Sequence, residues 1–271
     1  MKQITLCCLE PGLVGKAEEL AARLELPLTF EMSEESPLSG EKRETDRLVL
    51  RLSSEGLDLI KPDDRKLSGV LRVDFTAGHA AFRRKQQKKE LLVRAVGGKG
   101  GALLNIIDAT GGLGRDSFLL AAAGHRVRIF EQQSVVAALL ADGLERATAH
   151  PDTAEICTRI RLTTGDAVSV LEALQEQKRG EPVDVVYLDP MFPERRKSAL
   201  VKKELQILQL LAEQDAAPER LLAAALKVAT QRVVVKRPLK APHLTELVPS
   251  HSLAGKTVRF DVYLGGLLSR N

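Results

Sequence analysis

From about residue 100 onward, short apolar runs alternate with stretches of helical composition, and few folds accept that pattern. The runs at 103–110, 126–131, 159–166, 183–190 and 232–238 are expected as strands, with a last strand at 257–266. Helices are expected at 114–123, 134–147, 167–178, about 198–214 and 218–229, with Ser198 as an N-cap and Pro218 in a first turn. Strands apolar on both faces must be covered on both faces, so the pattern predicts a doubly wound, mainly parallel α/β sheet. Such sheets take their ligands at the carboxyl ends of the strands.

Residues 1–80 follow a different rule. A strand is expected at 4–10 and a helix at 14–24, and 47–52 and 71–75 alternate like half-exposed strands. Gly and Pro punctuate them, which predicts a small α+β accessory domain over 1–80 and an α/β domain over 81–271. The stretch near 82–97 is expected to be a connecting helix.

Composition excludes several classes. No run of 18 apolar residues is present to cross a membrane, and the N-terminus lacks the apolar stretch of a signal peptide. Cys7, Cys8 and Cys157 make neither a metal spacing nor an even disulfide set, and the five histidines lie in no metal spacing. A reduced, cytoplasmic protein without a metal is expected. The net charge is +4, but the windows 83–99 and 194–203 carry +6 and +4, which leaves −6 for the rest of the chain. Two basic patches on an acidic body predict a polyanion partner, with Arg83, Arg84, Lys85, Lys88, Lys89, Arg195, Arg196, Lys197, Lys202 and Lys203 at its phosphates.

The strand ends carry the chemistry. The first ends in Asp108-Ala109-Thr110-Gly111-Gly112-Leu113-Gly114, where glycines let the backbone approach a ligand ahead of a helix N-terminus. The spacing is not G-x-G-x-x-G, which argues against a nicotinamide oxidoreductase. Glu131 ends the second strand, where a carboxylate accepts hydrogen bonds from ribose hydroxyls. Asp166-Ala167 at the third strand end can face an adenine edge. After the fourth strand, the Asp189 carboxylate and the Pro190 carbonyl give adjacent acceptors for a two-donor –NH2, and Phe192 can stack on a base.

This set resembles class I S-adenosylmethionine-dependent methyltransferases. Asp189-Pro190-Met191-Phe192 is similar to their D/N-P-P-Y/F motif, with Met191 in place of the second proline. The strings DATGGLGRDSF and VVYLDPMFPERRKSALVKKE resemble the ribosomal RNA small subunit methyltransferase J family, whose members methylate guanine N2 in 16S rRNA. The resemblance implies a seven-stranded Rossmann-like sheet with an antiparallel last strand. It also implies S-adenosyl-L-methionine contacts at Asp108, Gly111, Gly112, Arg115, Asp116, Glu131, Gln132, Asp166, Ala167 and Asp189. Within it, Asp116 would pair with the methionine amino group, Arg115 with its carboxylate, and Asp189, Pro190 and Phe192 would be catalytic. The small ribosomal subunit or its RNA is the implied partner. Methylation of another planar amine (DNA adenine or protein glutamine) and a silent RNA-binding assembly factor remain open on the residues alone.

Overall fold

A computed structural model describes residues 4–30, 47–62, 70–78, 83–84, 86, 89–98, 102–177, 181–190, 207–208, 210–211 and 218–265. Contacts divide the chain into two compact units. One draws on the described residues of Met1–Val73, Ala138–Arg146 and Pro193–Ala212, the other on those of Asp74–Ala137, Ala147–Phe192 and Glu213–Asn271.

The first unit holds strands β1 (Ile4–Cys8), β2 (Leu28–Thr29), β3 (Leu48–Ser53) and β4 (Gly56–Ile60), and helix α1 (Val14–Leu24). The sheet order is β2-β1-β3-β4, with β4 antiparallel to β3 and the other pairs parallel. Strand β4 was not expected from sequence. It follows β3 through a two-residue turn at Ser54-Glu55, and Gly56 has φ +113°. Residues 71–75 show the expected alternation of burial, yet form no strand. Leu71 makes a single bridge to Leu59, and the Val73 carbonyl accepts from the Arg146 guanidinium at 2.5 Å.

The second unit contains the sheet that positions the site. Its helices are α2 (Leu91–Val96), α3 (Arg115–Ala122), α4 (Ser134–Thr148, which continues into the first unit), α5 (Ala154–Cys157), α6 (Ala167–Gln177) and α7 (Pro218–Val228). Its strands are β5 (Asn105–Asp108), β6 (Arg126–Glu131), β7 (Ile160–Thr164), β8 (Val185–Leu188), β9 (Arg232–Pro238), β10 (His251–Ala254) and β11 (Val258–Leu264). The seven-stranded order is β10-β11-β9-β8-β5-β6-β7. Strand β11 runs antiparallel to both its neighbours, and the remaining pairs are parallel. This is the Rossmann-like class I methyltransferase architecture expected from the resemblance. Strand β10 was not expected, because a four-residue, largely exposed edge strand (HSLA) carries no apolar run. The helix expected at 198–214 lies mostly outside the described residues.

Both sheet faces are buried, as the apolar strands require. Ile107, Val186, Leu188, Val233 and Val235 form a core with Ala167, Leu171, Leu222 and Ala225 of α6 and α7. The reversal of strand order falls between β5 and β8, where β5 is followed outward by β6 and β8 by β9. A crevice for ligands opens at such a switch. Helix α3 begins at that crevice and is fixed by Phe118, which is buried and stacks on Phe75 with ring centroids 4.4 Å apart.

Phe118→Ala is expected to cost about 3–5 kcal/mol of unfolding free energy in urea titration. A loss under about 1 kcal/mol would mean that the stack does not anchor α3.

Candidate active site

Three loops meet at the carboxyl ends of β5, β6 and β8. The glycine turn lies directly against β6. A Cβ on Gly111 would stand 2.5 Å from Ile129 Cγ2 and 3.1 Å from the Phe130 carbonyl, so only glycine fits there. The Gly111 N–H donates to that carbonyl at 2.9 Å, and Gly112 has φ +52°. The next N–H, of Gly112, donates to Glu131 Oε2 at 2.6 Å, and the Gln133 N–H donates to Oε1 at 2.8 Å. Glu131 is therefore oriented by backbone from both sides. Gln133 itself caps α4, accepting from the Val135 N–H at 2.6 Å. Gln132, next to Glu131, is exposed.

Asp108 is buried at the end of β5 and accepts from Ser117 Oγ and from the Thr110 N–H at 3.0 Å. Burial pushes its carboxyl pKa up to about 7, against the pull of these two hydrogen bonds. Asp108 thus shapes the turn from inside. Thr110 then reaches the next strand end. Its Oγ1 accepts the Asp189 N–H at 2.6 Å, which ties the glycine turn to the Asp-Pro segment after β8. Pro190 is buried, and the Asp189 side chain is 39% exposed. Phe192 lies outside the described residues.

Asp116, in the first turn of α3, is the most heavily bonded group of the site. Its Oδ1 accepts from Arg83 at 2.8 Å, and its Oδ2 accepts from Tyr187 Oη and Lys236 Nζ, each at 2.8 Å. Burial acts to raise its pKa, but Lys236 and Arg83 outweigh that and hold the carboxyl far below the ordinary range. The same Lys236 Nζ donates to Asp189 Oδ2 at 2.8 Å. Strand register produces this meeting. Tyr187 pairs with Val234 and Leu188 with Val235, so one step beyond the strand end sets Asp189 opposite Lys236. Period-2 alternation then turns Tyr187, Asp189 and Lys236 to the same face, the one bearing α3.

Several expected residues prove to be engaged within the chain. Both oxygens of Asp116, expected at the methionine amino group, hold Arg83, Tyr187 and Lys236. Asp166, expected at an adenine edge, caps α6 by accepting from the Ser169 N–H at 3.0 Å and from Ser169 Oγ at 2.6 Å, and Ala167 is buried. Arg115 is exposed on α3. Of the expected phosphate contacts, Arg83 is 18% exposed and paired with Glu90 and Asp116, and Arg84 pairs with Asp152 at 3.2 Å. Lys89 is exposed. Lys85, Lys88, Arg195, Arg196, Lys197, Lys202 and Lys203 lie outside the described residues. Lys236 and Tyr187 were missed from sequence. The available signal was a lysine inside the apolar strand RVVVKRP, because a cation seldom sits in a buried run without a partner.

The arrangement suits an adenosyl-type donor on a test independent of any motif. A carboxylate at the end of the second strand, such as Glu131, suits the hydroxyls of a ribose. The glycine turn is pressed against β6 beside it, since a side chain at Gly111 would collide with Ile129, while a Cβ at Gly112 would meet only the Thr110 carbonyl at 3.9 Å.

Comparisons with known proteins agree. The family model for SAM-dependent methyltransferases matches residues 32–265. A ribosomal RNA small subunit methyltransferase J of Thioalkalivibrio sulfidiphilus is 47% identical over 255 residues, 93% of each chain. One from Nitrosococcus oceani is 46% identical over 253 residues, covering 93% of this chain and 94% of that protein. The crystal structure of a SAM-dependent methyltransferase from Neisseria gonorrhoeae superposes with a TM-score of 0.72 at 32% identity, over 97% of both chains. The chain belongs to the ribosomal RNA small subunit methyltransferase J family of SAM-dependent methyltransferases.

Proposed function

We infer that this enzyme methylates the exocyclic N2 amine of a guanine in small-subunit (16S) ribosomal RNA, in the cytoplasm, with S-adenosyl-L-methionine as donor. The observation that carries the reading is the 2.6 Å hydrogen bond from the Asp189 N–H to Thr110 Oγ1. It joins the turn suited to a nucleoside donor to the segment suited to an amine acceptor. The relatives' names supply the substrate class, and the chemistry of Asp189-Pro190 supplies the amine.

S-adenosylmethionine, when bound, supplies an electrophilic methyl group on a sulfonium. Glu131 would hold its ribose, with its methionine end near Gly111 and Gly112. The guanine amine is a weak nucleophile, because its lone pair is delocalised into the ring. The Asp189 carboxylate and the Pro190 carbonyl accept its two hydrogens and set the lone pair toward the donor. Such positioning contributes several kcal/mol to catalysis, up to roughly 7–11 in favourable systems. Positive charge grows on the nitrogen as the bond forms, and the carboxylate stabilises it. A base held in a stem must first leave its stack, with Phe192 as the platform that receives it. Phosphate attraction falls to Lys89 and to the basic run Arg195, Arg196, Lys197, Lys202 and Lys203, since Arg83 and Arg84 are paired internally.

Asp189→Ala is expected to keep measurable S-adenosylmethionine binding in calorimetry and to lose at least tenfold in methyl transfer; near-parental turnover would remove Asp189 from the chemistry. Glu131→Ala is expected to weaken donor binding about tenfold or more, roughly the energy of one or two charge-assisted hydrogen bonds. Unchanged donor affinity would take the ribose away from Glu131. With isolated subunits and naked rRNA as substrates, mass spectrometry of digested nucleosides should find N2-methylguanosine, and methylated adenosine instead would refute the amine assignment. Neutralising Arg195, Arg196 and Lys197 together should reduce the slope of log K against log salt by up to about 2. An unaltered slope would assign those charges to solvent.

A further inference from the structure

We propose that Lys236 is a positioning residue for methyl transfer: it pins the Asp189 carboxylate by Oδ2, so that Oδ1 is the oxygen offered to the target amine. The inference rests on the reading of Asp189 as the amine acceptor and deepens it. Its basis is geometric. Lys236 Nζ lies 2.8 Å from Asp189 Oδ2 and 2.8 Å from Asp116 Oδ2, and its side chain is 26% exposed. Among the described residues, Asp189 Oδ1 accepts no hydrogen bond. The ammonium is itself held in place, because Asp116 is immobilised by Arg83 and Tyr187 on its remaining acceptor sites. A carboxylate with one oxygen fixed has lost the rotation about its Cβ–Cγ bond, so it meets the amine in one orientation.

The same contact sets its protonation. Asp189 faces Lys236 from β9, Asp116 from α3, Asp108 from β5 and Tyr187 from β8, with Arg83 behind Asp116. Its surroundings, as the largest influence, raise its pKa and the Asp116 charge adds to this, while Lys236 opposes both. Removing the ammonium therefore moves the Asp189 pKa further up. Asp189 must be ionised to accept, so activity that needs the carboxylate would then begin at a higher pH.

The alternative is that Lys236 only neutralises the buried Asp116, and a double-mutant cycle in the full-length protein separates the two. The variants are Lys236→Met, Lys236→Arg, Asp116→Asn and Asp116→Asn/Lys236→Met, assayed at saturating S-adenosylmethionine with small-subunit rRNA. Positioning predicts that Lys236→Met lowers kcat at least tenfold, and again at least tenfold in the Asp116→Asn background, where no Asp116 carboxylate is left to be neutralised. It predicts a shift of the acidic limb of the pH–rate profile toward higher pH by about one unit, and recovery of both kcat and limb in Lys236→Arg. Equal kcat for Asp116→Asn and Asp116→Asn/Lys236→Met, or an acidic limb that stays in place, overturns the proposal. Should Lys236→Met not fold, the pair in the Asp116→Asn background decides alone. Parental turnover in Asp189→Ala would instead defeat the reading beneath it, whereas an inactive Asp189→Ala beside a fully active Asp116→Asn/Lys236→Met defeats only the role of Lys236.

Discussion

The carboxylate of Asp116, with its side chain 12% exposed, is the joint on which the site is assembled. It gathers groups from four places in the chain: Arg83 ahead of α2, Tyr187 on β8, Lys236 on β9 and its own helix α3. Removing a carboxylate from water costs several kcal/mol, and breaking one side of such a pair leaves that cost uncompensated. Here two cations and a hydroxyl compensate it. The N-terminal end of α3 adds a favourable dipole. Because every partner is needed, the relative placement of α3, β8 and β9 has little freedom, and their ends stay in register at the crevice.

From that joint, order spreads through short polar links along the strand ends. Thr110 connects the glycine turn to Asp189, and Glu131 connects the same turn to the start of α4 through Gly112 and Gln133. Each link joins a backbone N–H to a side-chain oxygen, so the main chain fixes the rotamers of Thr110 and Glu131. A site fixed in this way is organised before its ligands arrive, which reduces the entropy lost on reaching a reactive arrangement.

How much of this could be read from residues alone depends on range. Strands β5, β6, β8 and β9 announce themselves because burial on both faces forces a continuous apolar run, and Glu131 and Asp189 stand where those runs stop. Short strands under weak burial stayed silent: β10 is exposed and polar, and β4 emerges only as the return arm of a hairpin. The Asp116 network was also silent. Arg83 and Asp116 are 33 residues apart and Asp116 and Lys236 are 120 apart, so no periodicity joins them. Composition misdirected the reading of Arg83 and Arg84 for the same reason. A run of basic residues shows that cations are present, not which way they point, and these two turn inward to Asp116, Glu90 and Asp152.

That inward turn explains the charge of the site. Around the strand ends stand Asp116, Asp189, Glu90 and Glu131, answered by Arg83 and Lys236. Among these bonded groups of the described residues the carboxylates outnumber the cations, in a setting less screened than bulk water. A negative crevice favours a ligand that carries a cation, as a sulfonium does, and disfavours bare phosphate. Arg83 and Lys236, both turned onto Asp116, are what allow that carboxylate to persist at the strand ends.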